Sequence, residues 1–198
     1  VIVPTQNVAV LIFDEVEVLD FCGPFEVFSV TDSYAAERPF NVYTVAEKTP
    51  ILARNNLSVN PAFLLDDPNC PQPDLIVVPG GRGTRQAMYN ERLLAWIKSN
   101  AQRAALTLSV CTGALMLARA GLLEGLAATT HHSAFDELRA VAPNTTVLED
   151  QRIVDNGTVI VSAGISAGID MALHVVARLH GIEKARQTAR YMEYDWRG

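Results

Sequence analysis

The chain has 198 residues, 49% of them hydrophobic and 19% charged, with a formal net charge of −6 at pH 7. That size and balance suit one α/β domain with a full core and are short for two. The acidic excess argues against a clustered Lys/Arg surface for nucleic acid, and no apolar stretch reaches the roughly 18 residues needed to cross a bilayer.

Residues 8–13 form a continuous apolar run, as in a strand covered on both faces. The sequence starts close to this strand and shows no basic, apolar, small-residue leader, although a short one could precede it. An acidic loop follows, with Asp14, Glu15 and Glu17 expected in solvent, and then a helix starting near Pro24. Residues 40–46 alternate like a strand, residues 49–60 read as a small hairpin turning at Asn55-Asn56, and 66–73 as a loop. A second buried strand, 74–79, ends in Gly80-Gly81-Arg82-Gly83-Thr84, and a helical pattern covers 90–102. Residues 104–110 read as a buried strand and 112–120 as a helix, with Cys111 at their junction.

A short strand is expected near 127–129, a helix over 133–141 with Ser133 as its N-cap, and strand-like pieces at 146–148 and 153–155. The Asn156-Gly157 turn leads to a strand at 158–162. Helices over 167–180 and 182–192 follow, with Met171 and Met192 in core positions. Strands alternating with helices predict a mostly parallel sheet flanked by helices on both faces, a flavodoxin-like sandwich, as one domain over residues 1–198. In such a sheet the site lies beyond the carboxyl ends of the strands. Cys111, Gly80-Gly81 and the loop after Phe13 all belong there.

Cys111 carries the most chemical information. Ser109-Val110-Cys111-Thr112-Gly113 has the layout of a nucleophile elbow, with cysteine where a hydrolase carries serine. A helix amino end beneath the sulfur favours thiolate over thiol. The amide of Thr112, with one from Gly80 or Gly81, could form an oxyanion hole beside the sulfur; for the glycines alone a plain turn is the simpler reading. No Gly-Lys-Ser/Thr follows, which excludes a P-loop. Asp20 is a carboxylate among apolar residues, either buried with a raised pKa and sharing a proton with the thiol, or the N-cap of the helix near Pro24. His131 and His132 follow a strand end and are either bases for the thiol or hydrogen-bonded loop residues. The three cysteines, Cys22, Cys70 and Cys111, have no metal-like spacing; they fit a reducing cytoplasm, with no structural zinc. Cys22 and Cys70 read as a small buried residue and a loop residue. The small residues at 162–168 read as one wall of the pocket.

Together, Asp20-Phe21-Cys22-Gly23-Pro24, Pro79-Gly80-Gly81, Cys111-Thr112-Gly113-Ala114, Ala120-Gly121-Leu122-Leu123, Thr129-Thr130-His131 and Ser166-Ala167-Gly168-Ile169-Asp170 resemble the ThiJ/PfpI superfamily, of the class I glutamine amidotransferase-like fold, over nearly the whole chain. Within it the likeness is to the isocyanide hydratase branch. The resemblance implies a cofactor-free reaction in which the Cys111 thiolate attacks an isocyanide carbon. In it Asp20 moves protons and activates water, Thr112 orients the substrate through its hydroxyl or N–H, and Gly81 supplies an amide. It also implies a homodimer. A glyoxalase or deglycase-like activity and a non-catalytic sensor with the same thiol are the alternatives. Three departures bear on these. His132 stands where the hydratase pattern has tryptophan. Thr112 stands where the peptidase branch has histidine after the cysteine. Asp20 stands where the glyoxalase branch has glutamate. No basic helix-turn-helix follows, unlike in the transcription regulators that share this domain.

Overall fold

In the computed structural model, which describes residues 4–198, a seven-stranded sheet forms the centre. Residues 1–3 of the expected 1–198 domain lie outside the described residues. In chain order the elements begin with β1 (Gln6–Leu11), α1 (Val18–Val30), β2 (Phe40–Ala46), the hairpin strands β3 (Ile51–Ala53) and β4 (Leu57–Val59), and β5 (Phe63–Leu64). Then come β6 (Leu75–Val78), α2 (Thr84–Ala87), α3 (Glu91–Ala101), β7 (Leu106–Val110) and α4 (Gly113–Arg119). The remainder holds β8 (Ala127–Ala128), α5 (Phe135–Val141), β9 (Thr146–Val147), β10 (Ile153–Asp155), β11 (Val159–Ser162), α6 (Ala167–His180) and α7 (Ile182–Tyr191).

The sheet runs β10-β11-β7-β6-β1-β2-β5 and is parallel except at β10, which pairs antiparallel with β11. Its five main parallel strands, numbered among themselves in chain order, lie 2-1-3-4-5. In that arrangement the ligand crevice opens where the strand order reverses, here between β1 and β6. Every residue of β6, β7 and β11 is buried, and β1 is buried from Val8 on. Strands so uniformly buried need cover on both faces. Helices α1, α6 and α7 pack together against the sheet, and α2, α3 and α5 gather around α4 as a separate group.

The helices are held by what they bury. From α6, Met171, Leu173, Val175 and Val176 are wholly buried, each contributing roughly 1.5–3 kcal/mol of transfer free energy. Helix α3 also has a side-chain cap, Asn90, which accepts the amides of Arg92 and Leu93. Among the described residues no helix is long and apolar enough to cross a membrane.

Two local expectations need correction. Helix α1 starts at Val18, not near Pro24. Pro24 sits in the second turn, where it forfeits one backbone donor while its ring is buried, so Gly-Pro is an interior feature and not a break. Ser133 does not cap α5. Residues His132–Ala134 form a 3₁₀ turn whose cap is His131, and α5 begins at Phe135.

The turn after β6 has little tolerance for a side chain. Gly81 has φ +135°, and a Cβ there would lie 2.4 Å from both the Glu15 carbonyl oxygen and the Glu17 nitrogen. Gly81→Ala is expected to cost more than about 2 kcal/mol of unfolding free energy in urea titrations; a loss below about 0.5 kcal/mol would mean that the turn can shift freely.

Candidate active site

Cys111 follows β7 with φ +58°, in the left-handed region that few residues other than glycine adopt. Neighbouring segments hold it there. Its amide donates to the carbonyls of Ser162 (3.2 Å) and Ala163 (3.1 Å), and its carbonyl accepts the Thr130 hydroxyl at 2.8 Å. Strain at a bulky residue persists where the surroundings over-determine it. The backbone amides of Thr112 and Ile165 are near enough to the sulfur to favour its ionised form. Ile165, just after β11, also has positive φ, +49°.

Asp20 lies in the first turn of α1 and is completely buried. It caps nothing. Its Oδ2 accepts the Gly80 amide at 3.0 Å, and the Gly80 carbonyl in turn accepts the Glu17 amide at 2.9 Å. The turn after β6 therefore grips the start of α1 from two sides. Oδ1 is buried without a hydrogen-bond partner, and the carboxyl and the Cys111 thiol are close enough to act on each other's ionisation.

That proximity reverses one expectation. Burial first, and then the Asp20 charge, push the thiol up to about 12, against the pull of the two amides. The helix end does not win. Burial also raises the carboxyl to about 7, opposed by the Gly80 amide and the thiol. The two groups titrate as a pair, and between their ionisations they share one proton and one negative charge.

The other expected site residues fall into three groups. The Gly80 and Gly81 amides are near the cysteine but already committed, to Asp20 and to the Thr112 hydroxyl (3.0 Å) respectively. The amides that act on the sulfur here are those of Thr112 and Ile165. The Thr112 hydroxyl is buried and bonded to Gly81 and Thr84, so it does not face a substrate. His131 packs against the backbone of Gly164, where a Cβ would lie 2.4 Å from its Cδ2, and its Nδ1 accepts the Ser133 amide. Its pKa is lowered by burial and then by His132 and Arg85. His132 is exposed and its ring lies 4.3 Å from that of His131. Among the described residues neither histidine hydrogen-bonds to Cys111 or Asp20.

Ile165, Thr84 and Thr130 lie in segments that the sequence marks, the pocket wall at 162–168, the turn after β6 and the Thr129-Thr130-His131 motif, but it gives none of them an individual role. Only Ile165 had a usable signal, since it follows a strand ending at the same carboxyl edge as Cys111.

Residues 6–178 match the DJ-1/PfpI family. The chain belongs to that family. Among DJ-1/PfpI relatives, it is 35% identical over 189 residues to a protein of Pseudomonas putida named isonitrile hydratase, covering 95% of this chain and 78% of that one. It is 29% identical to the HTH-type transcriptional regulator CdhR of Pseudomonas aeruginosa, over 93% of this chain and 54% of the regulator. A crystal structure of a ThiJ/PfpI family protein from Pseudomonas syringae superposes with a TM-score of 0.85 at 30% identity, covering 96% of this chain and 76% of that one.

The buried carboxyl has a testable cost. Its folded pKa lies above the ordinary 3.8, so the folded state binds the extra proton. This contribution to stability is complete below about pH 4 and is lost as pH rises towards 7. Asp20→Asn should therefore be more stable than the parent chain at pH 8, by a few kcal/mol in order of magnitude, with a smaller margin at pH 5. Urea midpoints at the two pH values check this, and a margin that widens towards acid would contradict it.

Proposed function

We propose that this chain is a cofactor-free, cysteine-dependent hydratase that converts an isocyanide to an N-substituted formamide, acting in the cytoplasm as a homodimer on a small-molecule substrate. The observation that carries the reading is that Cys111 is coupled to a buried carboxyl, Asp20, and, among the described residues, hydrogen-bonded to no imidazole. The name of the Pseudomonas putida relative points the same way.

The chemistry follows from the pair. As sulfur attacks the terminal carbon of R–N≡C, the thiol proton passes to Asp20 and then to that carbon, leaving a thioimidate, R–N=CH–S–Cys111. Asp20, again a carboxylate, takes a proton from water as the water oxygen adds to the same carbon, and passes it to the nitrogen, giving R–NH–CH(OH)–S–Cys111. Collapse to the carbonyl breaks the C–S bond and returns the proton to sulfur. The sum is R–NC plus water giving R–NH–CHO. A neutral apolar substrate suits a buried thiol that has little affinity for charge. The same burial disfavours a redox-sensor reading, which needs an exposed thiolate.

Purified protein is expected to form formamide from a small alkyl isocyanide. Cys111→Ala should abolish turnover, and Asp20→Asn should reduce it by a factor on the order of 10²–10⁴. Because Asp20 acts as carboxylate, kcat/KM should rise with pH through about 7. Undiminished turnover in Cys111→Ala, or a profile flat through that range, would reject the mechanism.

A further inference from the structure

We propose that Thr84 is a positioning residue for the Asp20–Cys111 pair: acting through Thr112, its hydroxyl locks the Gly80-Gly81 turn that holds the Asp20 carboxyl beside the thiol. The inference rests on the pair named in the hydratase reading, and not on which substrate the pair attacks.

It comes from counting the hydrogen bonds at one buried oxygen. Thr112 Oγ1 accepts the Gly81 amide at 3.0 Å, lies 3.0 Å from Thr84 Oγ1, and lies 3.3 Å from the Gly81 carbonyl oxygen. A hydroxyl has one proton and two acceptor sites. Among the described residues Thr84 Oγ1 has no hydrogen-bond partner besides Thr112. The assignment that uses both protons has Thr84 donating to Thr112 and Thr112 donating to the Gly81 carbonyl. Thr112 is then saturated, and it clamps both polar groups of Gly81.

Neither hydroxyl is open to replacement by water, since Thr84 is wholly buried and Thr112 is 4% exposed. Removing the Thr84 hydroxyl leaves an acceptor site on Thr112 empty in a dry place. The residue whose position then relaxes is Gly81, and the amide next to it in the chain, that of Gly80, is the donor to Asp20 Oδ2. A weaker Gly80 bond stabilises the carboxylate less. The titratable groups acting on Asp20 are Cys111, from the elbow, and Glu17, from its own helix. The turn and α2 also carry Arg82 and Arg85, and Arg85 Nη1 lies 3.5 Å from the Gly81 carbonyl oxygen, but neither guanidinium is among the groups that shift Asp20.

The test uses the whole protein and iodoacetamide. Alkylation of the Cys111 peptide is followed by mass spectrometry from about pH 5 to about pH 10, which separates it from the free thiols Cys22 and Cys70. Its first rise reports the first ionisation of the pair. In Thr84→Val the midpoint of that rise should move upward by about one unit, and Thr84→Ser should restore it. Thr84→Ala gives the same readout where valine prevents folding. A valine or alanine profile superimposable on the parent, or a serine variant that fails to restore it, overturns the proposal. A parent chain with this profile that hydrates no isocyanide rejects the hydratase reading and leaves the result for Thr84 intact.

Discussion

The structure is organised around a carboxyl group removed from water. Among the described residues Asp20 has no cationic partner; it is offered one backbone amide and a neighbouring thiol, and Glu17 adds a like charge. A charge in such a place is costly unless it is shared or neutralised. Sharing is what the elbow provides. The same burial that raises the carboxyl also raises the thiol, so neither group ionises independently and the proton between them becomes a movable part.

Everything else at the carboxyl edge of the sheet serves to keep those two groups together. The turn after β6 holds α1 through Gly80, whose amide takes the carboxyl and whose carbonyl takes the Glu17 amide. The end of β11 and the residue after it hold the cysteine through two carbonyls that accept its amide, while the Ile165 amide acts on its sulfur. Backbone donors and acceptors are fixed by the fold, and so they are positioned more rigidly than side chains with free rotors. Left-handed backbone at Cys111 and Ile165 is the conformational cost of that arrangement.

Much of this could be read from the residues before any coordinates. Apolar runs at β1, β6, β7 and β11 mark buried parallel strands, and a cysteine between such a run and a helix marks the elbow. Asp20 is a carboxylate among Val18, Leu19 and Phe21 that reads equally as a helix N-cap, and only the cysteine elsewhere in the chain favours the proton-sharing reading. What escaped was everything that depends on distance between segments. Gly80 and Gly81 look like free donors in sequence, and only the fold shows which acceptors claim them. Thr84 looks like one more polar residue in a glycine-rich turn. The helix end does not yield a thiolate for a related reason: burial of the sulfur, and then the charge that α1 brings to it, outweigh the local dipole. The start of α1 was misjudged because Gly-Pro usually interrupts a helix, whereas here apolar packing on both sides of Pro24 outweighs a single lost bond.

The contact between the elbow and the end of β11 also sets an order of events during synthesis. A nascent chain that has emerged only through β7 and α4 already contains Cys111, Asp20 and the Gly80 turn. It still lacks Ser162 and Ala163, whose carbonyls accept the cysteine amide, and Ile165, whose amide favours the ionised sulfur. Until those residues arrive, the acceptors of the cysteine amide are missing, and of the side-chain contacts that hold the left-handed turn only the Thr130 hydroxyl can precede them. The guarded state of Cys111 is therefore acquired late, with the fifth main parallel strand, and belongs to the finished fold more than to the motif in which the cysteine sits.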